Sequence, residues 1–295
     1  MTPLKVCVIG NLSDRRCGFQ NVTAQMGTAL RRAGHAVLMF DGTYSEVYRR
    51  RESGIESFFP PDILQYDIVH LIWHSMTMNH YNGADWAGLQ AGPLVSWWDG
   101  GPSNTYCPFQ EWMQIKWIEY PKSGYHLLPY PVPDWVTDLP EPDPVFTVGA
   151  SSIRGDGIAE LRQVCEQQGW AMNLPTPGVW VSVEDEIRRL ARSTVNVCWY
   201  DTPPIWQARA SAPSMLIAAG RPLLINHDRL LEHLWDAPDL YHGQRTSPDL
   251  ATCLLTLATH AGPLRRPIQT AQDLSWTRAV RTLETVWQEA LACRT

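Results

Sequence analysis

Residues 213–225 read PSMLIAAGRPLLI. An apolar helical turn runs into Ala-Ala-Gly-Arg-Pro and then into a short strand. Upstream, VNVCWY (195–200) reads as a strand. SVEDEIRRLARS (182–193) is a helix, opened by Ser182 with Asp185 three residues on, a capping-box signal. Before it come the strand WAMNLP (170–175), the helix GIAELRQVCEQQG (157–169) and the strand VFTVGAS (145–151). Strands that alternate with helices predict a parallel α/β sheet.

The first half has the same rhythm. LKVCVIG (4–10) is a continuous apolar run ending in Gly, as a buried parallel strand requires. A polar loop, NLSDRRCGFQN, precedes a helix with Val22, Met26, Ala29 and Leu30 on one face. That helix ends at Gly34, a natural residue just past a helix C-terminus. AVLMFD (36–41), YDIVHLIWH (66–74) and GPLVSWWDG (92–100) read as further strands. The proline-dense stretch 126–145 reads as a linker. At the end, Trp276, Val280, Leu283, Trp287 and Leu291 form one stripe of an amphipathic helix, 274–291.

Composition narrows the class. The chain has 295 residues, 44% hydrophobic and 18% charged, enough for two packed domains and against global disorder. Most of the 14 tryptophans are expected in the core or in cleft walls. The net charge of −6 argues against general nucleic-acid binding. Between Arg15 and Arg51, however, seven arginines face two acids, a local +5. That window is either a solvated helix face with a loop or a phosphate-binding patch. The seven cysteines include no CxxC pair, so reduced thiols of a cytoplasmic protein are expected. The N-terminus reads as a strand, not a signal peptide, and no run is long enough to span a bilayer.

The order of these pieces resembles the GT-B glycosyltransferases, nearest to the retaining group called family 4. The resemblance rests on CGFQNVTAQMGTALRRAGHAV, DIVHLIWH, VGASSIRGDGI, LIAAGRPLLI and SWTRAVRTLETVWQEAL. It implies an α/β fold of two Rossmann-like doubly wound domains facing a central cleft. It divides the chain into an acceptor-side domain at 1–138, a nucleotide-sugar domain at 139–272, and a last helix, 273–295, crossing back to the first domain. It also implies sugar transfer from a nucleotide-sugar donor, a UDP- or GDP-sugar, with no separate cofactor. One departure is plain. The family usually carries two glutamates eight residues apart around the 213–225 helix. Aligned on Ala-Ala-Gly, those positions are Gln207 and Met215, so the ribose contact made by the second glutamate must come from elsewhere.

Transfer from such a donor needs stabilisation of a departing diphosphate, which cations and free backbone N–H groups supply. Donor-binding candidates are Arg154, directly after a strand, Arg209 in the loop before the helix, and Ser211 and Ser214 at the helix start with Pro213 near its first position. Pro175, Thr176 and Val179, in the loop that faces the nucleotide base in this architecture, and Gly18, where backbone approaches a ligand, complete the set. Each has a plain alternative as an ordinary turn or surface residue. The catalytic candidates are Asp99, at a strand end before Gly-Gly, and His74, ending another strand. Their alternatives are a turn-forming Asp and a structural His. Arg15, Arg16, Arg49, Arg50 and Arg51 follow the first two strands and are acceptor-binding candidates. With them, double-stranded DNA carrying a hydroxymethylated pyrimidine fits as acceptor, as in small phage enzymes of this shape. Glycan and small-molecule acceptors stay open, as does an inactive nucleotide-sugar-binding protein. The acidic run Glu184-Asp185-Glu186 reads as a helix first turn rather than a metal motif, so no metal is expected.

Overall fold

The computed structural model describes residues 2–12, 18–42, 59, 62–73, 89, 92–99, 113–118, 123–153, 157–176, 181–200, 212–227, 229–237, 239–243, 250–259 and 267–294. The chain divides into two compact units. The first comprises Met1–Pro129 with Trp276–Thr295, the second Tyr130–Ser275.

In the first unit, β1 (Lys5–Gly10), β2 (Ala36–Asp41), β3 (Ile68–Trp73), β4 (Leu94–Asp99), β5 (Ile115–Ile118) and β6 (His126–Leu127) form one sheet in the order β2-β1-β3-β4-β5-β6. Every neighbouring pair is parallel. One face carries Cys7, Ile9, Val69, Leu71, Val95 and Trp97 into a core with Phe40, Phe59 and Leu89. The helices α1 (Gly18–Arg32) and α7 (Trp276–Ala292) also belong to this unit. α1 starts at Gly18, not at Val22, so Gly18 is the first helical residue and not part of a loop. The first four N–H groups of a helix have no intrahelical acceptor, which makes its first turn tolerant of a weak helix former such as Gly. α1 ends as expected: Gly34 sits at φ 94°, and His35 N–H reaches back to the Leu30 carbonyl at 3.1 Å. Gly10 is required for contact, because a Cβ there would collide with Thr23 of α1.

α7 is fastened by side chains. Trp276, Leu283 and Trp287 are fully buried. Trp276 Nε1 donates to Gln25 at 2.8 Å. Leu4 N–H donates to His35 Nδ1 at 3.1 Å, so the other ring nitrogen of His35 donates to Glu284 at 2.8 Å. Ser96 is a hub: Trp117 and Trp287 both donate their indole N–H to its Oγ, at 2.9 and 3.0 Å. Its own O–H is then left for His70 Nδ1 at 2.9 Å. His70 is wholly buried, its Nε2 has no partner among the described residues, and burial pushes its pKa down to about 3.

In the second unit, β7 (Thr147–Ile153), β8 (Ala171–Asn173), β9 (Val195–Trp199), β10 (Leu223–Asn226) and β11 (Tyr241–Gly243) run parallel in the order β11-β10-β9-β7-β8. Helices cover both faces. α3 (Val183–Ala191) and α4 (Ala212–Ala218) pack on one through Ile187, Leu190, Leu216 and Ile217. α2 (Gly157–Gln168) and α5 (Leu250–Thr259) pack on the other through Leu161, Leu250 and Leu254. A short α6 (Ile268–Asp273) is capped from outside by Asp239, which accepts from the Gln269 N–H at 2.9 Å.

The proline-rich residues read as a linker pack on the second unit from Tyr130 onward, so the boundary falls at 129/130 rather than 138/139. Val132 and Val136 are buried there among α3 and α4 residues. Trp135 donates to Glu184 at 2.9 Å, and Asp138 pairs with Arg188 at 3.1 Å. Proline density signalled extended backbone; the apolar residues between the prolines bury it. Among the described residues, no helix is long and apolar enough to cross a membrane.

Candidate functional site

In an open parallel sheet, ligands bind beyond the carboxyl ends of the strands, where the strand order reverses. The first unit reverses between β1 and β3, the second between β7 and β9.

In the first unit, register places Gly10 beside Asp41 and Trp73 beside Asp99, so these residues share the carboxyl edge. Asp41 secures the exit from β1 by accepting from the Leu12 N–H at 3.3 Å, and Gly42 N–H bonds the Gly10 carbonyl at 2.8 Å. Asp99 is the last residue of β4, one strand away from the reversal; its backbone alone is described. Gly18 contributes a first-turn backbone at the start of α1. His74, Arg15, Arg16, Arg49, Arg50 and Arg51 lie outside the described residues.

In the second unit, the β7/β9 register shifts between Ala150 and Ile153, a bulge at the carboxyl end of the strand that borders the reversal. Bulges at such places re-aim side chains beside functional sites. Ser151, inside it, has a buried Oγ without a hydrogen-bond partner among the described residues. Pro175 and Thr176 follow β8 and are exposed. Ser214 is the third residue of α4 and is buried. Arg154, Val179, Arg209 and Ser211 lie outside the described residues. Met215 is 8% exposed and packs in the apolar core of the unit, so its side chain serves packing. Arg221, in the same Ala-Ala-Gly-Arg-Pro run, is structural as well. Its guanidinium donates to the Ala191 carbonyl that ends α3, at 2.6 Å, and to Pro140 at 2.5 Å.

Two features of this edge carry no local sequence signal. Asn226, the last residue of β10, bonds both backbone groups of Tyr200, the residue after β9. The rings of His227 and His242 lie 5.4 Å apart, with Trp235 5.5 Å from His227. Partial burial lowers the pKa of His242, opposed by a hydrogen bond to the Ala237 backbone and reinforced by His227.

The acidic run is spent on structure. Ser182 Oγ accepts from the Asp185 N–H at 3.0 Å, and its hydroxyl donates to the Asp185 carboxylate at 2.7 Å. Glu184 holds Trp135, and buried Glu186 pairs with Arg189 at 2.6 Å. Arg189 also bonds the carbonyls of Asn173 and Ala150. A groove beside Arg188, Arg189 and Arg192 includes Thr147 and Ala171, the first residues of β7 and β8. It therefore lies at the amino edge of the sheet, and Arg188 and Arg189 there are already engaged by acids and carbonyls. Among the described residues, no three His, Cys, Asp or Glu side chains are grouped to hold a metal ion. Burial pushes the Cys7 thiol up to about 12 and Cys165 up to about 11, so neither is a thiolate nucleophile at neutral pH.

No protein-family model and no curated protein matches the chain. Solved structures match it end to end. A sucrose-phosphate synthase from Thermosynechococcus elongatus aligns at TM-score 0.68 and 11% identity, over 98% of this chain and 100% of that one. AviGT4, a glycosyltransferase involved in avilamycin A biosynthesis, aligns at TM-score 0.66 and 15% identity, over 98% of both chains. An alpha-glucosyltransferase in complex with UDP-glucose and DNA containing an abasic site aligns at 0.58 and 10%, over 94% of this chain and 93% of that one. The fold is thus that of the GT-B glycosyltransferases, an α/β fold with two parallel sheets.

Proposed function

We propose that the chain is a glycosyltransferase that moves a sugar from a UDP- or GDP-sugar to an acceptor hydroxyl, with the donor on the second unit. The observation that carries this reading is the end-to-end match to glycosyltransferase chains. The bulge at the β7/β9 reversal supports the donor side. In this reading Arg154 and Arg209 neutralise the departing diphosphate with Ser211 and Ser214, and Gly18 is a further donor-binding candidate. Pro175, Thr176 and Val179 face the base. The bond from the sugar carbon to the donor phosphate breaks, and a bond to the acceptor oxygen forms with retained configuration. The acceptor proton passes to Asp99 or His74. No metal is required.

For the acceptor we propose a hydroxymethylated pyrimidine in double-stranded DNA, held along its backbone by Arg15, Arg16, Arg49, Arg50 and Arg51, in a cytoplasmic protein. The arginine-rich window and the DNA complexes of the alpha-glucosyltransferases favour this choice. The test is mass spectrometry after incubation with pooled UDP- and GDP-sugars and an acceptor panel that includes hydroxymethylated DNA. The expected result is a sugar-sized mass increment on the modified base. An increment only on glycans or small molecules overturns the DNA reading. Nucleotide-sugar binding with neither transfer nor hydrolysis supports an inactive binding protein, the reading favoured by Gln207 and the core-packed Met215.

A further inference from the structure

We propose that His227 and His242 form a two-imidazole site for a first-row transition-metal cation on the second unit, separate from the transfer chemistry and not needed for it. The two rings lie 5.4 Å apart, centre to centre, and are inclined by 33°. Both residues are exposed, so an ion can reach them from solvent.

Strand pairing brings the rings together. β10 and β11 run parallel, with Ile225 opposite His242. Residues directly opposite in a ladder share a face of the sheet, and every second residue along a strand returns to it. His227 lies two residues past Ile225, on the side that His242 occupies. The separation fits one shared ion. A metal–nitrogen bond of about 2.0–2.1 Å puts each ring centre about 3.2 Å from the ion, so two rings on one tetrahedral ion sit about 5.2 Å apart.

The surroundings prepare the pair. The Trp235 ring, 5.5 Å from His227, walls one side of it. A hydrogen bond with the Ala237 backbone engages the His242 ring. Ligating histidines commonly have one nitrogen engaged in this way, which orients the ring and leaves the other nitrogen for the metal. Asp236 adds a negative charge that acts on His242. Among the described residues no third His, Cys, Asp or Glu joins the two rings, so water completes the coordination. Imidazole ligands suit Cu2+, Ni2+ and Zn2+, whereas Mg2+ and Ca2+ prefer oxygen. An ion held here ties the end of β10 to the edge strand β11.

The test is calorimetric titration of the full chain, carrying no histidine tag, with Cu2+, Ni2+, Zn2+ and Mg2+. It is repeated on His227→Ala, on His242→Ala and, as a control, on His126→Ala, an exposed histidine of the first unit. The expected result is a one-ion site, tightest for Cu2+ and absent for Mg2+, that either change in the pair weakens about a hundredfold and the control leaves intact. The ion should also raise the unfolding temperature of the wild-type chain but of neither pair variant. If an alanine variant does not fold, His227→Gln or His242→Gln takes its place. Binding of none of the three transition metals overturns the proposal. So does binding that survives either change in the pair, or that the control also abolishes. No donor or acceptor is present in the titration, so its outcome is independent of the reading as a glycosyltransferase.

Discussion

The two sheets share a winding plan but are pinned by different chemistry. In the first unit, indole and imidazole groups converge on side chains: Trp117, Trp287 and His70 on Ser96, Trp276 on Gln25, and His35 on Glu284. In the second, cations and amides reach backbone: Arg221 to the end of α3, Arg189 to β7 and β8, and Asn226 to Tyr200. An aromatic donor contributes a large apolar body as well as one N–H. A guanidinium on a carbonyl contributes mainly the bond and the helix-end charge. Deletions in the first unit should therefore create cavities, whereas polar deletions in the second should leave orphaned backbone groups.

The largest expected effect is in the first unit. Trp287→Ala removes a fully buried indole and leaves Ser96 short of a donor, costing about 3–5 kcal/mol. Urea unfolding measures it, and a loss below about 1 kcal/mol would break the contrast. Next, Met215→Glu sets a carboxylate at a position that packs in the core, costing about 3 kcal/mol. A variant as stable as wild type would instead place this position against solvent or ligand.

The third prediction concerns pH. The unfolded chain protonates His70 near 6.5, the folded chain only near 3. Between these values the unfolded state holds the extra proton, so stability is complete above about 6.5 and falls as pH drops towards 3. At pH 5 the loss is about 2 kcal/mol, and His70→Asn should flatten this part of the profile. An equal slope in the variant would assign the acid sensitivity elsewhere. The smallest effect is the cap: Ser182→Ala should lower stability of the second unit by about 1 kcal/mol, read from thermal unfolding.

The same contrast explains what could be read from sequence. The α7 stripe is visible because buried aromatics recur at helical spacing. The Ser182 cap is visible because its partner is three residues away. β5, β6 and β11 are two to four residues long, too short for a period to emerge. α6 depends on Asp239, some thirty residues away in the chain. The candidate site divides in the same manner. Arg154 and Asp99 stand out because they follow or end strands. Asn226 and the His227–Trp235–His242 group do not, because strand pairing alone brings their partners close. The proline-rich segment misled for a related reason: prolines mark an extended chain but not whether it is covered.

Donor chemistry is proposed for the second unit. Release of nucleoside diphosphate from pooled UDP- and GDP-sugars, compared between wild type and Arg154→Ala, tests it most directly. The expected result is release by the wild-type chain and a drop of about a hundredfold in the variant, the scale of one lost transition-state contact. No release by the wild-type chain with any donor, or equal release by both proteins, would contradict it.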